Sequence, residues 1–409
     1  MKLKVGSDFS GVGAFNQALM RLGVEYDEIF ACDMDKFARQ TFIHNYKEPK
    51  YYPENVYDRE IPKESIDIYM TSPPCQAFSL AGKRLGKDDK RGILFFNSHE
   101  FIQINNPRYF IFENVKGLLS DDGGKTFQEW VNMLGGKSVN GLPVLFPYED
   151  SVPYHLYWQV LNAKHHGVPQ NRERVFLIGI RDDADNNFQF PREEHLTKRL
   201  KDVLEDDVDD KYFLSEKLID GFVNHEKKSK EKGSGFKFNV SDGNKIGSAI
   251  TTKADSRSDD NFIKIKSATS KGYEEATEGD SINFSVPSSE TRIGRVGKGV
   301  AQTLDTACNQ GVMVGDYRKD EGFRWREDGN SPCLHTQLKD VDFNENRGQS
   351  AIYINNEYRI RRLTPRECFR LMDFPDTFTW DVSDSQAYKQ AGNSIVVNVL
   401  YKILKNLLK

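Results

Sequence analysis

Hydrophobic positions in the first 181 residues fall in short runs that alternate with helical spacings, several of the runs ending in a glycine or acidic turn. KLKVGSDFSGVGAFNQALMRLG reads as a strand, a glycine-bearing turn and an amphipathic helix with Phe15, Leu19 and Leu22 on one face. EYDEIFACDMDKFARQTFIHNY repeats the unit, its strand running into an acidic tip at Asp33 and Asp35 before a second helix. IDIYMT precedes SPPCQ, helix-like FFNSHEFIQI leads to strand-like RYFIFENV, and RVFLIGI is a further apolar run. Repeated βα units predict an α/β fold with a mostly parallel, doubly wound sheet whose ligands gather at the carboxyl ends of the strands.

After Arg181 the texture changes. KDVLEDDVDDKYFLSEK is charged, and residues 225–350 are rich in Gly, Ser, Asn, Asp and Lys with only short β-like runs, which predicts an irregular, mostly β second domain. GSAITTKADSRSDDNFIKI, GVAQTLDTACNQGVMV and SPCLHTQLKDVDFNENRGQSAIYI share a loose strand–loop–strand form; related loop-bearing hairpins and chance likeness both account for it. Apolar and helical character returns in RRLTPRECFRLMDFP and SIVVNVLYKILKNLLK, a segment expected to rejoin the first sheet. The second domain is therefore an insertion, with boundaries at 1–184, 185–357 and 358–409.

With 409 residues, 38% of them hydrophobic and 12% aromatic, the chain can bury a large core. The apolar runs are too short for a membrane span, and the start turns polar within a few residues, so neither a spanning helix nor a signal peptide is expected and the default compartment is the cytoplasm. Five scattered cysteines (Cys32, Cys75, Cys308, Cys333, Cys368) without a CxxC pair read as free thiols, with no structural zinc. A net charge of −4 requires any nucleic-acid contact to use a local basic surface.

Cys75 stands out chemically. It follows two prolines after a β-rich run and precedes a Gly/Lys-rich loop, a setting suited to a nucleophile, which would need an activating neighbour and a partner acid. Glu113 ends the apolar strand RYFIF at the same predicted sheet edge; such a carboxyl either caps the following turn or shares a proton with a ring nitrogen. Arg172 and Arg174, two residues apart, can aim together at carbonyl or phosphate oxygens if the segment is extended. Gly11 and Gly13 permit a tight turn and close backbone approach, Asp33 about twenty residues on can accept ribose hydroxyls, and Asp58 in ENVYDRE is placed to meet an adenine amino group. The glycines alone fit a plain turn equally, and Asp58 alone a surface carboxylate. No Walker lysine follows the glycines, which favours an adenosine-bearing ligand over a triphosphate.

The ordered set FSGVGAF, DMD, SPPCQAFS, RGILFF, FENVKGLL, VPQNRERVFLIG, RRLTPRECFRLMDFP and QAGNSIVVNVL resembles the DNA (cytosine-5)-methyltransferase family of prokaryotic and phage type, across residues 5–181 and 360–400. The resemblance implies a Rossmann-like methyltransferase sheet carrying an inserted target-recognition domain. It implies S-adenosylmethionine as methyl donor, S-adenosylhomocysteine as product and no metal. Cys75 would attack carbon 6 of a flipped cytosine, Glu113 would engage N3, Arg174 the ring carbonyl, and Arg172 would brace the thiolate and the DNA backbone. Phe9, Gly11, Val12, Gly13, Asp33, Met34, Asp58, Pro74, Leu94 and Asn393 match cofactor-pocket positions, while Gln76, Ser79, Arg91, Asn114 and Gln170 match substrate-contacting ones. Residues 80–92 would form a lid over extruded DNA, since flipping costs a few kcal/mol that contacts must recover. The partner implied is double-stranded DNA met by a monomer, with no membrane; a cognate restriction endonuclease acting separately and a solitary role are both open.

The chain departs from the family pattern at Gly13-Ala14, where Gly-Gly is usual, and at Asp33, where a glutamate is commoner. The shorter Asp33 carboxylate implies a longer ribose contact, so Asp33→Glu is expected to bind cofactor more tightly by calorimetry. An RNA cytosine-5 methyltransferase and a silent nucleic-acid-binding homologue are the other readings. The roughly 170 inserted residues favour duplex readout. Arg257, Arg292, Arg295, Lys298, Gln302, Asn309 and Gln310 there are of base-reading types, and solvated loops use the same types.

Overall fold

The structure is a computed structural model that describes residues 2–74, 93–185, 187–206, 208–214, 216–231, 246–249 and 358–409, with short strands elsewhere between 240 and 325. It divides into two compact units, one of residues 1–204, 243–261 and 363–409 and one of residues 205–242 and 262–362.

The first unit begins with β1 (Leu3–Asp8), α1 (Ala14–Leu22), β2 (Tyr26–Cys32), α2 (Lys36–Asn45), β3 (Ile68–Thr71), α3 (Ile93–Asn105) and β4 (Tyr109–Val115). Then come α4 (Lys125–Leu134), the short β5 (Ser138–Val139) and β6 (Leu142–Pro143), the long β7 (Tyr154–Asn162), β8 (Gln170–Asn171) and β9 (Glu173–Arg181). One sheet runs β2-β1-β3-β4-β9-β7-β5-β6, in which β2, β1, β3 and β4 are mutually parallel. The expected βα alternation holds for these four strands. It ends at RVFLIGI: β9 lies antiparallel to both β4 and β7, because β7 and β9 are joined by a short connection that reverses the chain instead of a crossover helix. The sequence patterns above identified neither α4 nor β7.

Local chemistry explains the element ends. α1 starts after Gly13 and stops at Gly23, both left-handed, the second closing the helix through its N–H to the Met20 carbonyl. Asp35 caps α2, accepting from the N–H groups of Phe37 at 2.9 Å and Ala38 at 3.2 Å. The sheet core is aromatic. Phe30, Tyr69 and Phe101 stack on one another, and Phe95 lies flat on Trp130 with centroids 4.3 Å apart.

In the second unit α5 (Glu216–Glu231) precedes β10 (Val240–Ser241), and β11 (Gly247–Ser248), which belongs to the first unit, pairs there with β8. β12 (Phe262–Lys266), β13 (Ser281–Asn283), β14 (Val296–Gly297), β15 (Gln310–Val312), β16 (Gly315–Arg318), β17 (Gly322–Trp325) and β18 (Tyr358–Arg362) complete it as three small sheets, β10-β12-β18, β14-β13-β15 and β16-β17. Among the described residues the unit carries short strands and one α-helix, and that helix begins where the charged passage of residues 201–217 ends. Of the three similar pieces, the third lies outside the described residues, as do all the base-reading candidates except Gln310 in β15.

The C-terminal segment belongs to the first unit and forms α6 (Pro365–Leu371), α7 (Asp384–Asn393) and α8 (Val397–Leu407). Thr364 and Glu367 form a reciprocal cap at the start of α6, with Pro365 in its first turn. α8 buries Val397, Leu400, Ile403, Leu404 and Leu407 and packs on α1. Arg21 of α1 pairs with Asp373 and donates to Asn398 at 3.2 Å, holding the two ends of the chain together. Among the described residues no helix is long and apolar enough to cross a membrane.

Between α1 and β2 lies a buried polar contact, Glu28 accepting from the Asn16 amide. Burial pushes the Glu28 carboxyl up to about 8 from its ordinary 4.5. The folded chain therefore keeps a proton that the unfolded chain has released, so stability falls as pH rises from about 4.5 to about 8. Glu28→Gln keeps the acceptor without the charge. Its urea midpoint should exceed that of the parent at about pH 8 and vary less between about pH 5 and pH 8; identical pH slopes would contradict this.

Candidate active site

The parallel register decides what meets at the sheet edge. Asp8 lies opposite Cys32 on β2 and Thr71 on β3, and Thr71 lies opposite Phe112 on β4. The residues that follow, Phe9, Asp33, Ser72 and Glu113, consequently share one edge. Ser72-Pro73-Pro74 leads to Cys75; Cys75, Gln76, Ser79, Arg91 and residues 80–92 as a whole lie outside the described residues.

β4 and β9 run antiparallel with Val115 opposite Arg174 and Glu113 opposite Phe176, so Glu113 and Arg174 are diagonal neighbours on one face. Arg174 Nε donates to Glu113 Oε1 at 3.0 Å. Glu113 is only 7% exposed, and burial pushes its carboxyl above the ordinary range while Arg174 and Arg172 pull it back. A carboxyl balanced in this way can hold a proton for a ligand nitrogen and still be oriented by an arginine. The Glu113 side chain is therefore engaged with Arg174 rather than with a helix cap.

Three expectations are corrected here. Arg172 does not aim beside Arg174 at an outer ligand: its guanidinium is buried, and Nη2 donates to the carbonyls of Gly392 at 3.0 Å and Ser394 at 2.8 Å. Burial pushes it down to about 9, and a group so enclosed braces the α7–α8 junction instead of gripping a DNA phosphate. Gln170 is fully buried and donates to the Leu371 carbonyl at 2.5 Å, which makes it a tie to α6 rather than a substrate contact. Asn114 is also buried; its amide donates to the Pro73 carbonyl at 3.2 Å and its oxygen accepts from Val115 N–H, so it holds the segment that leads to Cys75.

On the other half of the edge, Phe9 sits at φ 57°, a strained conformation for a bulky residue, and Gly11 at φ 55° leaves open space where a side chain would stand. Gly13 at φ 80° is required twice over, since a Cβ would stand 2.2 Å from the Tyr46 ring, whose hydroxyl donates to the Gly13 carbonyl. Val12 and Ala14 are buried beside it. Asp33 accepts from Gly11 N–H at 2.7 Å through one oxygen and from Asp35 N–H at 2.8 Å through the other. Each oxygen keeps a lone pair for a hydroxyl. Cys32, Val56 and Leu94 form a small apolar cluster against which Phe9 packs. Met34 is 86% exposed beside it. Asp58 lies in a turn, ahead of β3, where Asn55 donates to it at 2.8 Å, and it is exposed, as are Pro74 and Asn393. A small apolar cluster for a base to pack on, a carboxylate with free lone pairs for a ribose and a backbone turn open to close approach fit a nucleoside-bearing cofactor such as S-adenosylmethionine. Among the described residues no group of three or more His, Cys, Asp or Glu is placed to hold a metal.

Sheet and edge together define an α/β fold that gathers a glycine turn, an acidic strand end and a buried acid along one edge. The family model for C-5 cytosine-specific DNA methylases matches residues 3–409, and the chain belongs to that family. It is 31% identical over 462 aligned positions to the orphan methyltransferase M.SPRI of Bacillus phage SPR, covering 100% of this chain and 98% of that protein. It is 29% identical to the type II methyltransferase M.HpaII of Haemophilus parainfluenzae, covering 98% and 88%. Among solved structures, a Spodoptera frugiperda DNMT2 triple mutant superposes with a TM-score of 0.63 at 18% identity, covering all of both chains, which supports the fold.

The double use of Asp33 removes the reason to expect gain from a longer side chain. Two backbone N–H groups converge on a carboxylate at aspartate length, and Asp33→Glu must shift one of them. Titration calorimetry with S-adenosylhomocysteine should show Asp33→Glu binding no tighter than the parent; a clear gain in affinity would show that ribose reach governs.

Proposed function

We propose that this chain methylates carbon 5 of a cytosine flipped out of duplex DNA, through a covalent bond between Cys75 and carbon 6, at a sequence read by the inserted domain of residues 185–357. The observation that carries the reading is the buried Glu113–Arg174 pair on the sheet edge shared with the Ser72-Pro73-Pro74 segment, which Cys75 follows in the sequence. S-adenosylmethionine supplies an electrophilic methyl group when bound. The Cys75 sulfur adds to carbon 6 as Glu113 gives its proton to N3, which moves electron density onto carbon 5. Carbon 5 takes the methyl group. Loss of the carbon 5 proton, return of the N3 proton to Glu113 and departure of Cys75 restore the aromatic ring.

Arg174 orients Glu113 through Nε and, with Nη1 donating to the Glu173 carbonyl at 2.8 Å, retains further N–H groups for the cytosine carbonyl. Phe9, Val12, Asp33, Met34, Asp58, Pro74, Leu94 and Asn393 form the proposed cofactor side, with Gly11 and Gly13 admitting the backbone. Gln76, Ser79 and Arg91 remain proposed DNA contacts. The chain is proposed to act as a monomer in the cytoplasm.

Transfer of tritiated methyl groups to mixed-sequence duplex DNA should be seen with the parent protein and abolished in Cys75→Ser. Transfer to transfer RNA with none to duplex DNA would overturn the DNA reading. Because burial holds the Glu113 proton on, turnover should decline as pH rises through the raised Glu113 value, and Glu113→Gln should lose roughly 100-fold or more in rate together with that pH limb. A Glu113→Gln profile that parallels the parent's would remove Glu113 from the proton step.

A further inference from the structure

Arg59 carries no role in the proposed reaction, yet it is an enclosed cation near the cofactor side. Its side chain is 2% exposed and that of its partner Asp8 is 0% exposed. Nε lies 2.8 Å and 3.0 Å from the two Asp8 oxygens, Nη2 lies 2.7 Å from the second, and the Tyr69 hydroxyl donates to that same oxygen at 2.6 Å. Nη2 also donates to the Asn97 carbonyl of α3 at 3.1 Å, and the guanidinium rests over the Phe101 ring.

Each tie ends on an element that carries, or leads into, a member of the small apolar cluster of Cys32, Val56, Leu94 and Phe9. Asp8 is followed by Phe9. Arg59 closes the turn that holds Val56 and Asp58, and Asn97 lies on the first turns of α3 with Leu94. The turn is held at its other end by Asn55, which takes the Tyr57 N–H at 3.0 Å and donates to Asp58. A buried ion pair is a poor source of net stability, since apolar residues of equal volume often do as well, but its forked hydrogen bonds fix direction and distance.

We propose that Arg59 is a positioning residue for cofactor recognition: by joining the β1 end, the Asn55–Asp58 turn and α3, it sets Asp58 against the base slot so that the adenine amino group is read. This rests on the cofactor reading above and adds the residue that makes Asp58 selective. Asp58 itself is exposed and bonded only locally among the described contacts, so its carboxylate can keep one place over the slot only if the turn behind it is immobile.

The test is a ratio of affinities measured on the full chain by titration calorimetry, S-adenosylhomocysteine against S-inosylhomocysteine, whose base carries a carbonyl in place of the amino group. The parent should favour the adenosyl compound by about tenfold or more, the effect of one charge-assisted hydrogen bond. Asp58→Ala should bring the ratio near one. Arg59→Lys, which keeps the charge and loses the fork, should bring it near one as well while its thermal midpoint shows a folded chain. Tyr69→Phe keeps the ring within the aromatic stack and should give an intermediate ratio, and it decides the matter if Arg59→Lys does not fold. Equal weakening of both compounds in Arg59→Lys, or a parental ratio in Tyr69→Phe, would reduce Arg59 to a structural tie and overturn the proposal. A parent that binds neither compound would overturn the cofactor reading, and a parent that binds both equally would overturn only the role given to Asp58 and Arg59.

Discussion

Four parallel strands in register place the residues that follow them along one edge of the sheet, and the chemistry of the chain depends on that alignment. Asp8, Cys32, Thr71 and Phe112 end the shared ladder, so Phe9, Asp33, the Ser72-Pro73-Pro74 segment and Glu113 are neighbours although more than a hundred residues separate the first from the last. A slip of one residue in any strand would turn its side chains to the opposite face and break up the set. The aromatic stack of Phe30, Tyr69 and Phe101 opposes such a slip, because each ring is fully buried and has no second place to go.

The edge is held by buried polar contacts that would be costly if left half made. Glu113 with Arg174, Asp8 with Arg59, and Arg172 with the carbonyls near Gly392 each place a charge out of water, and removing one partner of such a pair costs about 3–5 kcal/mol. They divide the labour. The first fixes the Glu113 carboxyl, the second joins the end of β1 to α3, and the third fastens the returning C-terminal segment. Strain at Phe9 belongs to the same edge and is tolerated because the neighbouring turn is over-determined by Tyr46 and Asp33.

Much of this was legible in the sequence because it is local. The strand–turn–helix order, the glycine turn, the acidic tip at Asp33 and the carboxylate at Glu113 each show in a window of ten or so residues, and the ordered motifs pointed to the family. What was not legible is long-range. Nothing around Gln170, Arg172 or Asn114 announces that their partners lie on α6, at the α7–α8 junction and beside Pro73, so side chains that look suited to a ligand turned out to be internal ties. The antiparallel β9 was hidden for a related reason: an apolar run states that a strand is buried, not which way it runs. Arg59 escaped notice because its partner stands 51 residues away with no shared pattern.

The central claim is that Cys75 forms the covalent link to the substrate base. The most direct measurement uses duplex DNA in which cytosine is replaced by 5-fluorocytosine, whose carbon 5 cannot release a proton once methylated, so the thiol cannot leave. After incubation with S-adenosylmethionine and the 46.9 kDa chain, a denaturation-resistant protein–DNA adduct should form, with the modified nucleotide attached to the peptide containing Cys75 by mass spectrometry. Methylation of ordinary duplex DNA without any trapped adduct on the fluorinated duplex, or an adduct on a residue other than Cys75, would contradict the account.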